Sequence, residues 1–414
     1  MILRPYQEAG RDFLAGRKFA LLADEMRVGK TPQAILAADK IGASRVLVIC
    51  PAIATTQWQH EWIRWAGTAS TVLDRGLWAP VGVVIASYDM ATRMTDVLRE
   101  QRWDLVIADE SHYCKNPEAK RTRAVFAKDG IIWHADRLWC LSGTPAPKNA
   151  SEVWPMLRAF GATDLSYEDF LTRFCWVDPM TGRVLGTRDK AIPEFNELVA
   201  KVTLRRTRAQ VAPEMPAIDF QYLNVRPTQQ QDFIPPPGLS DEQLLDWLLA
   251  QAPTVADTRQ AIAKAKVPQL ADHISGAIEN GELTQTVVFG YHISPMHDLR
   301  TLLTERGLKA EIISGDTPRK ERDRIREDFA DRSLDVVLGQ IIAAGTAIDL
   351  SAARHGYFLE LDWVPGNNMQ AANRLVSMDK QDKVTFDIVT WPGSIDERVT
   401  RVVERRARQV SQLF

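Results

Sequence analysis

Two short stretches carry side chains able to do chemistry together. The first is Arg27-Val28-Gly29-Lys30-Thr31, which follows an apolar run at 19–22 that reads as a buried strand and precedes Pro32-Gln33-Ala34-Ile35, which reads as a helix start. A strand, a loop ending Gly-Lys-Thr and a helix make a phosphate cradle: loop amides and the helix N-terminus face the anion, Lys30 adds charge, and Thr31 offers a hydroxyl to Mg2+. Arg27 stands where the pattern has its first glycine, and if the position needs a positive φ, an arginine there costs roughly 1–2 kcal/mol. The second stretch is Asp109-Glu110-Ser111-His112, after an apolar run at 105–108. Nucleotide hydrolysis needs an acid to hold the metal and a second group to orient water, so Asp109 would take Mg2+ and Glu110 would polarise the water. Each group would then sit at a strand end of one α/β half, Lys30 first and Asp109 later in the chain.

These groups need strands to place them. Apolar runs at 19–22, 45–50, 81–86, 105–108 and 137–141 alternate with helix-like stretches, the pattern of a parallel α/β sheet, in which ligands bind beyond the carboxyl ends of the strands. Residues 150–215 read as mostly helical, 220–225 as one more strand, and the segment around Pro235-Pro236-Pro237 as a linker. Strand-like runs return at 286–289, 310–313, 335–338, 357–361 and 384–389, with helices expected at 299–306, 318–329 and 394–414. The expected organisation is a first α/β lobe at 1–224 with a helical insertion around 150–215, a linker at 225–238, and a second α/β lobe at 239–414.

Composition narrows the classes. The 414 residues exceed one typical core, and with charged residues at 25% and a formal net charge of -2, no bulk field marks a nucleic-acid or membrane protein. A DNA-binding surface would have to be local. Cys50, Cys114, Cys140 and Cys175 form no C-x-x-C pair, which argues against zinc and against a disulfide framework and points to a reducing compartment. No stretch approaches the ~20 apolar residues of a membrane span and no leader pattern opens the chain, so a cytoplasmic protein without membrane association is expected. Trp58, Trp62 and Trp65 sit at helical spacing and read as packing.

With these residues in view, the chain resembles the Snf2 family of superfamily 2 helicase-like ATPases, in the compact form of its annealing-helicase branch. Leu3-Arg4-Pro5-Tyr6-Gln7 is similar to the adenine-reading segment, and Ala23-Asp24-Glu25-Met26 with Gly29-Lys30-Thr31 to the first motif. Val46-Leu47-Val48-Ile49-Cys50-Pro51 and Ala86-Ser87-Tyr88 resemble DNA-contacting motifs. Asp109 to His112 resembles Walker B, and Leu141-Ser142-Gly143-Thr144-Pro145 the third motif. Leu204-Arg205-Arg206-Thr207 is similar to the family's basic segment. Val287-Val288-Phe289, Ile313-Ser314-Gly315-Asp316, Ala343-Ala344-Gly345 and Gln370-Ala371-Ala372-Asn373-Arg374 follow in the order of motifs four to six.

The resemblance implies two RecA-like lobes, each a mainly parallel sheet with helices on both faces, and ATP with Mg2+ as cofactors. It assigns catalysis to Lys30, Asp109, Glu110 and Arg374, and nucleotide contacts to Gln7, Arg27, Gly29, Lys30, Thr31, Gly345 and Asp349. Metal falls to Thr31 and Asp109, and coupling to His112, Ser142, Thr144 and Gln370. Pro51, Ser87, Tyr88, Gly315 and Ala344 would touch DNA, duplex or branched, without sequence specificity, and the motor would act as a monomer. Three positions depart from the pattern: Arg27, Ala347-Ile348 in place of Gly-Leu, and Ser377 where a second arginine is usual. An arginine finger contributes about 10³–10⁵ in rate, so Arg374 alone or Lys380 would have to supply it. Two other readings stay open: a nucleotide-binding pseudo-ATPase that works as a binding module, and a superfamily 2 RNA or single-strand helicase.

Overall fold

A computed structural model describes residues 2–74, 82–226, 238–240, 243, 252–344, 348–377 and 382–414. The chain divides into two compact units, Met1–Pro213 with Arg408–Phe414, and Glu214–Ala407.

The first unit is built on seven strands: β1 (Phe19–Leu22), β2 (Val46–Cys50), β3 (Ser70–Val72), β4 (Val83–Ser87), β5 (Leu105–Asp109), β6 (Leu138–Leu141) and, after a two-stranded hairpin of β7 (Cys175–Val177) and β8 (Val184–Thr187), β9 (Thr203–Leu204). Their order is β3-β4-β2-β5-β6-β1-β9, with every pairing parallel. A parallel sheet is covered on both faces, and β2 shows it: all five of its residues are buried, with Leu47 and Ile49 in one core and Val46, Val48 and Cys50 in the other. Helix Pro5–Ala15 precedes β1, helix Lys30–Lys40 joins β1 to β2, and helix Thr55–Ala66 lies between β2 and β3. Residues 150–215 are mainly helical, as expected, and the hairpin β7–β8 is the part that sequence pattern does not show.

The second unit holds β10 (Ile218–Asn224), β11 (Thr286–Gly290), β12 (Ala310–Ile313), β13 (Val336–Gln340), β14 (His355–Phe358) and β15 (Val384–Thr390), in the order β10-β15-β14-β11-β13-β12, again all parallel. β10 pairs along its whole length with β15, so this unit starts before the 225–238 linker expected from composition, and most of that linker lies outside the described residues. A 28-residue helix, Ala252–Glu279, packs its buried Ala263, Val267, Leu270 and Ile274 on this sheet. Among the described residues no helix is long and apolar enough to cross a membrane. All four cysteines are buried, and burial raises the pKa of each thiol.

Candidate active site

Strand order decides what meets what in the first unit. β6 lies between β5 and β1, so the loop after β1, the turn after β6 and the acidic segment after β5 emerge side by side at one carboxyl edge.

The loop after β1 turns through two left-handed residues, Arg27 at φ 68° and Gly29 at φ 77°. The arginine therefore does sit in the strained region, at roughly 1–2 kcal/mol. At Gly29 the glycine is required twice, since a Cβ there would also stand 2.4 Å from Gln7 Nε2. Gln7 is 5% exposed. Its Nε2 donates to the Val28 carbonyl (3.1 Å), its Oε1 accepts from Arg4 N (3.0 Å), and Tyr6 Oη also donates to Val28 (3.3 Å). Gly29 caps helix Lys30–Lys40, placing Lys30 and Thr31 in its first turn. The Lys30 ammonium donates to the carbonyls of Asp24 (2.8 Å) and Glu25 (3.2 Å). Desolvation lowers its pKa, and Glu110, Asp24 and Asp109 oppose that shift.

The basic segment at 204–207 braces this loop. β9 pairs with β1, and Glu25 N donates onward to the Arg206 carbonyl (2.9 Å). The Arg206 guanidinium grips both oxygens of fully buried Asp24, and also donates to Gln33 Oε1 (3.0 Å) and to the Tyr6 carbonyl. Arg208 Nε lies 3.0 Å from Glu25 Oε1. Motif pattern alone does not single out Asp24, Gln33, Arg206 or Arg208 as site residues, although Asp24 and Arg206 lie inside segments it marks.

At the end of β5, Asp109 Oδ1 accepts from Glu110 N (3.0 Å), Oδ2 accepts from Trp58 Nε1 (2.8 Å), and the Asp109 carbonyl accepts from Tyr88 Oη (2.8 Å). Burial first, then neighbouring Glu110, pushes the Asp109 carboxyl up to about 6, against the Trp58 hydrogen bond and the Lys30 charge. Glu110 is left-handed at φ 49° and caps the turn Ser111–Cys114. His112 Nδ1 lies 3.3 Å from Glu110 Oε2 and 3.0 Å from Ser142 Oγ, which also accepts from Thr144 N (3.2 Å). A Cβ on Gly143 would stand 2.7 Å from Met26 Cγ and 3.3 Å from Lys30 Nζ, so the turn after β6 lies directly against the loop.

This cradle fits a magnesium nucleotide. A left-handed glycine before a capped helix, a lysine ammonium and hard oxygen donors from Thr31 and Asp109 suit phosphate and a small dication. Among the described residues no group of three or more His, Cys, Asp or Glu could hold a metal ion.

The remaining candidates are placed as follows. Pro51 is buried and precedes the turn Ala52–Ala54, and Ser87 Oγ caps helix Tyr88–Arg93 by accepting from Met90 N (3.1 Å). Tyr88 is 3% exposed and turns inward to Asp109. In the second unit, exposed Gly315 N donates to Gln340 Oε1 (3.3 Å), and Ala344 ends the helix Ile341–Ala344. Gln370 lies in helix Pro365–Ala372, and Arg374 in the turn Asn373–Leu375, where its carbonyl accepts from Leu350 N (3.0 Å), beside Asp349. Gly345 and Lys380 lie outside the described residues.

The model of the SNF2-related domain matches residues 6–234, more than half of the chain, and that of the helicase conserved C-terminal domain matches residues 265–378. The chain belongs to the SNF2-related family. Among curated SNF2 relatives, a Bos taurus SWI/SNF-related matrix-associated actin-dependent regulator of chromatin subfamily A-like protein 1 is 26% identical over 99% of this chain and 44% of its own length. The DNA annealing helicase and endonuclease ZRANB3 of Bos taurus is 26% identical over 98% of this chain and 40% of its own. This chain thus spans less than half the length of those two SNF2 relatives. A solved Sulfolobus solfataricus SWI2/SNF2 ATPase core in complex with dsDNA aligns with a TM-score of 0.48 at 19% identity, over 99% of this chain and 92% of that one.

Proposed function

We propose that the chain is an ATP-driven motor on DNA, in which hydrolysis at the carboxyl edge of the first sheet powers movement along, or remodelling of, duplex or branched DNA. The observation that carries this reading is the convergence of Lys30, Asp109, Glu110 and the His112–Ser142 pair at three neighbouring strand ends. Lys30 and the loop amides hold phosphate, Thr31 and Asp109 hold Mg2+, and Glu110 orients the attacking water and takes its proton. The magnesium ion, when bound, supplies charge neutralisation at the phosphates. His112 and Ser142 relay the state of Glu110 to the turn after β6, and Arg374 of the second unit serves as the arginine finger, with Gln370 four residues before it and Asp349 next to Leu350, whose N–H donates to the Arg374 carbonyl. DNA engages mainly through its phosphates at the segments of Pro51, Ser87, Gly315 and Ala344, without sequence preference, and a single copy of the chain suffices. The names of the curated relatives, one an annealing helicase on DNA, support this direction.

The deciding experiment measures ATP hydrolysis by the full chain with duplex, forked, four-way and single-stranded DNA and with RNA. Stimulation by duplex or branched DNA that weakens with salt is expected. A rate that no nucleic acid changes overturns the motor, and stimulation by RNA alone replaces it with an RNA helicase.

A further inference from the structure

Three tryptophans on the helix Thr55–Ala66 share one spacing but not one role. Trp62 Nε1 donates to Thr68 Oγ1 (3.1 Å) and Trp65 Nε1 to Glu61 Oε2 (2.8 Å), both within or just beyond their own helix. Trp58, 2% exposed, instead donates across 51 residues to Asp109 Oδ2 at 2.8 Å. With Glu110 N on Oδ1 at 3.0 Å, the two donors fix the plane of this carboxylate, and Tyr88 Oη on the Asp109 carbonyl fixes its backbone. A ligating carboxylate with one lone pair committed to a buried N–H presents the remaining lone pairs in a single orientation, which is how outer partners tune a metal site. The helix that carries Trp58 starts at Thr55, immediately after Pro51 and the turn Ala52–Ala54, so the donor rides on the element that continues the Pro51 segment.

We propose that Trp58 is a positioning residue for magnesium: its indole N–H orients the Asp109 carboxylate, and it ties that orientation to the helix that follows the Pro51 segment. The proposal rests on Asp109 as the metal-holding carboxylate of the nucleotide site. Trp58→Phe keeps a buried aromatic ring but loses the donor together with the five-membered ring that carries it, and Trp62→Phe, 3% exposed in the parent, controls for the smaller ring.

Magnesium titrated into the full chain with mant-labelled ADP should show a half-saturation about 10–100-fold higher in Trp58→Phe than in the parent. Binding of mant-ADP in EDTA should stay close to the parent's, and the thermal midpoint should fall no further than in Trp62→Phe, which shrinks a ring buried to the same degree. Trp62→Phe, which removes an N–H bonded only to Thr68, should superimpose on the parent. A Trp58→Phe titration that also superimposes on the parent's overturns the positioning role and leaves the motor reading intact. A parent that binds mant-ADP without any magnesium dependence overturns both. The unsubstituted chain offers a second measurement should Trp58→Phe not fold. One indole N–H resonance, identified by its displacement in Asp109→Asn, should shift when magnesium joins ADP and stay fixed with ADP alone; no shift overturns the proposal.

Discussion

The phosphate loop and the acidic end of β5 lie at the same sheet edge but are built in opposite ways. The loop is a backbone site, and the side chains around it reach mostly for its carbonyls: Gln7 and Tyr6 for Val28, Lys30 for Asp24 and Glu25, Arg205 for Ala23. The acidic end is a side-chain site, where Asp109, Glu110, His112 and Ser142 meet through individual atoms. A backbone site tolerates an unusual residue such as Arg27 as long as its frame holds. A side-chain site tolerates almost none.

That contrast can be tested where it should be strongest. Glu110→Gln should lower the hydrolysis rate about 10²–10⁴-fold while leaving nucleotide affinity nearly unchanged, measured as kcat against the Kd of mant-ADP. A Glu110→Gln enzyme that hydrolyses at the parent rate breaks the distinction. Arg206→Leu attacks the frame instead. It strips the partner from fully buried Asp24 and should cost about 3–5 kcal/mol in urea unfolding, part of which Asp24→Asn in the same chain should restore. An unfolding curve like the parent's would mean that the loop needs no clasp.

Acidity should act on the side-chain site alone. Metal needs the ionised Asp109, and because its pKa is raised to about 6, the protonated form takes over just below neutrality rather than near the ordinary ~3.9. Magnesium-dependent mant-ADP binding should therefore weaken as pH falls through about 6, approaching tenfold per unit, while binding in EDTA follows a flatter course. Equal slopes in both conditions would remove Asp109 as the cause. The smallest effect belongs to Arg27→Gly. Relief of roughly 1–2 kcal/mol of strain, less about 0.5–1 kcal/mol for the freer unfolded chain, leaves a gain of about 0–1.5 kcal/mol in urea. A loss of stability would show that Arg27 makes contacts worth more than its strain.

What could be read in advance follows from what kind of information each feature needs. β1, β2, β5 and β6 were legible because strands buried on both faces are uninterrupted apolar runs, and Gly29-Lys30-Thr31 and Asp109-Glu110 because their chemistry is local in sequence. β9 was not, since two residues, Thr203 and Leu204, become a strand only by pairing with Leu21 and Leu22. Helical spacing marks Trp58 only as packing, because it reports which face is buried and says nothing of an acceptor 51 residues away. The clasp of Arg206 on Asp24, 182 residues apart, and the closeness of Gly143 to Lys30 are likewise products of strand order. The unit boundary differs for the same reason: sequence order puts the strand at 220–225 at the end of the first lobe, and the pairing of β10 with β15 gives it to the second unit.

The four cysteines have a practical consequence. Thiol reagents attack the thiolate, and here every thiol is buried with its pKa raised by that burial. The native chain should therefore be nearly silent towards maleimides at neutral pH. A pair of cysteines introduced on exposed positions, one in each unit, would take up donor and acceptor dyes against a dark background, and the proposed ATP cycle could be looked for in single molecules without first removing any native residue.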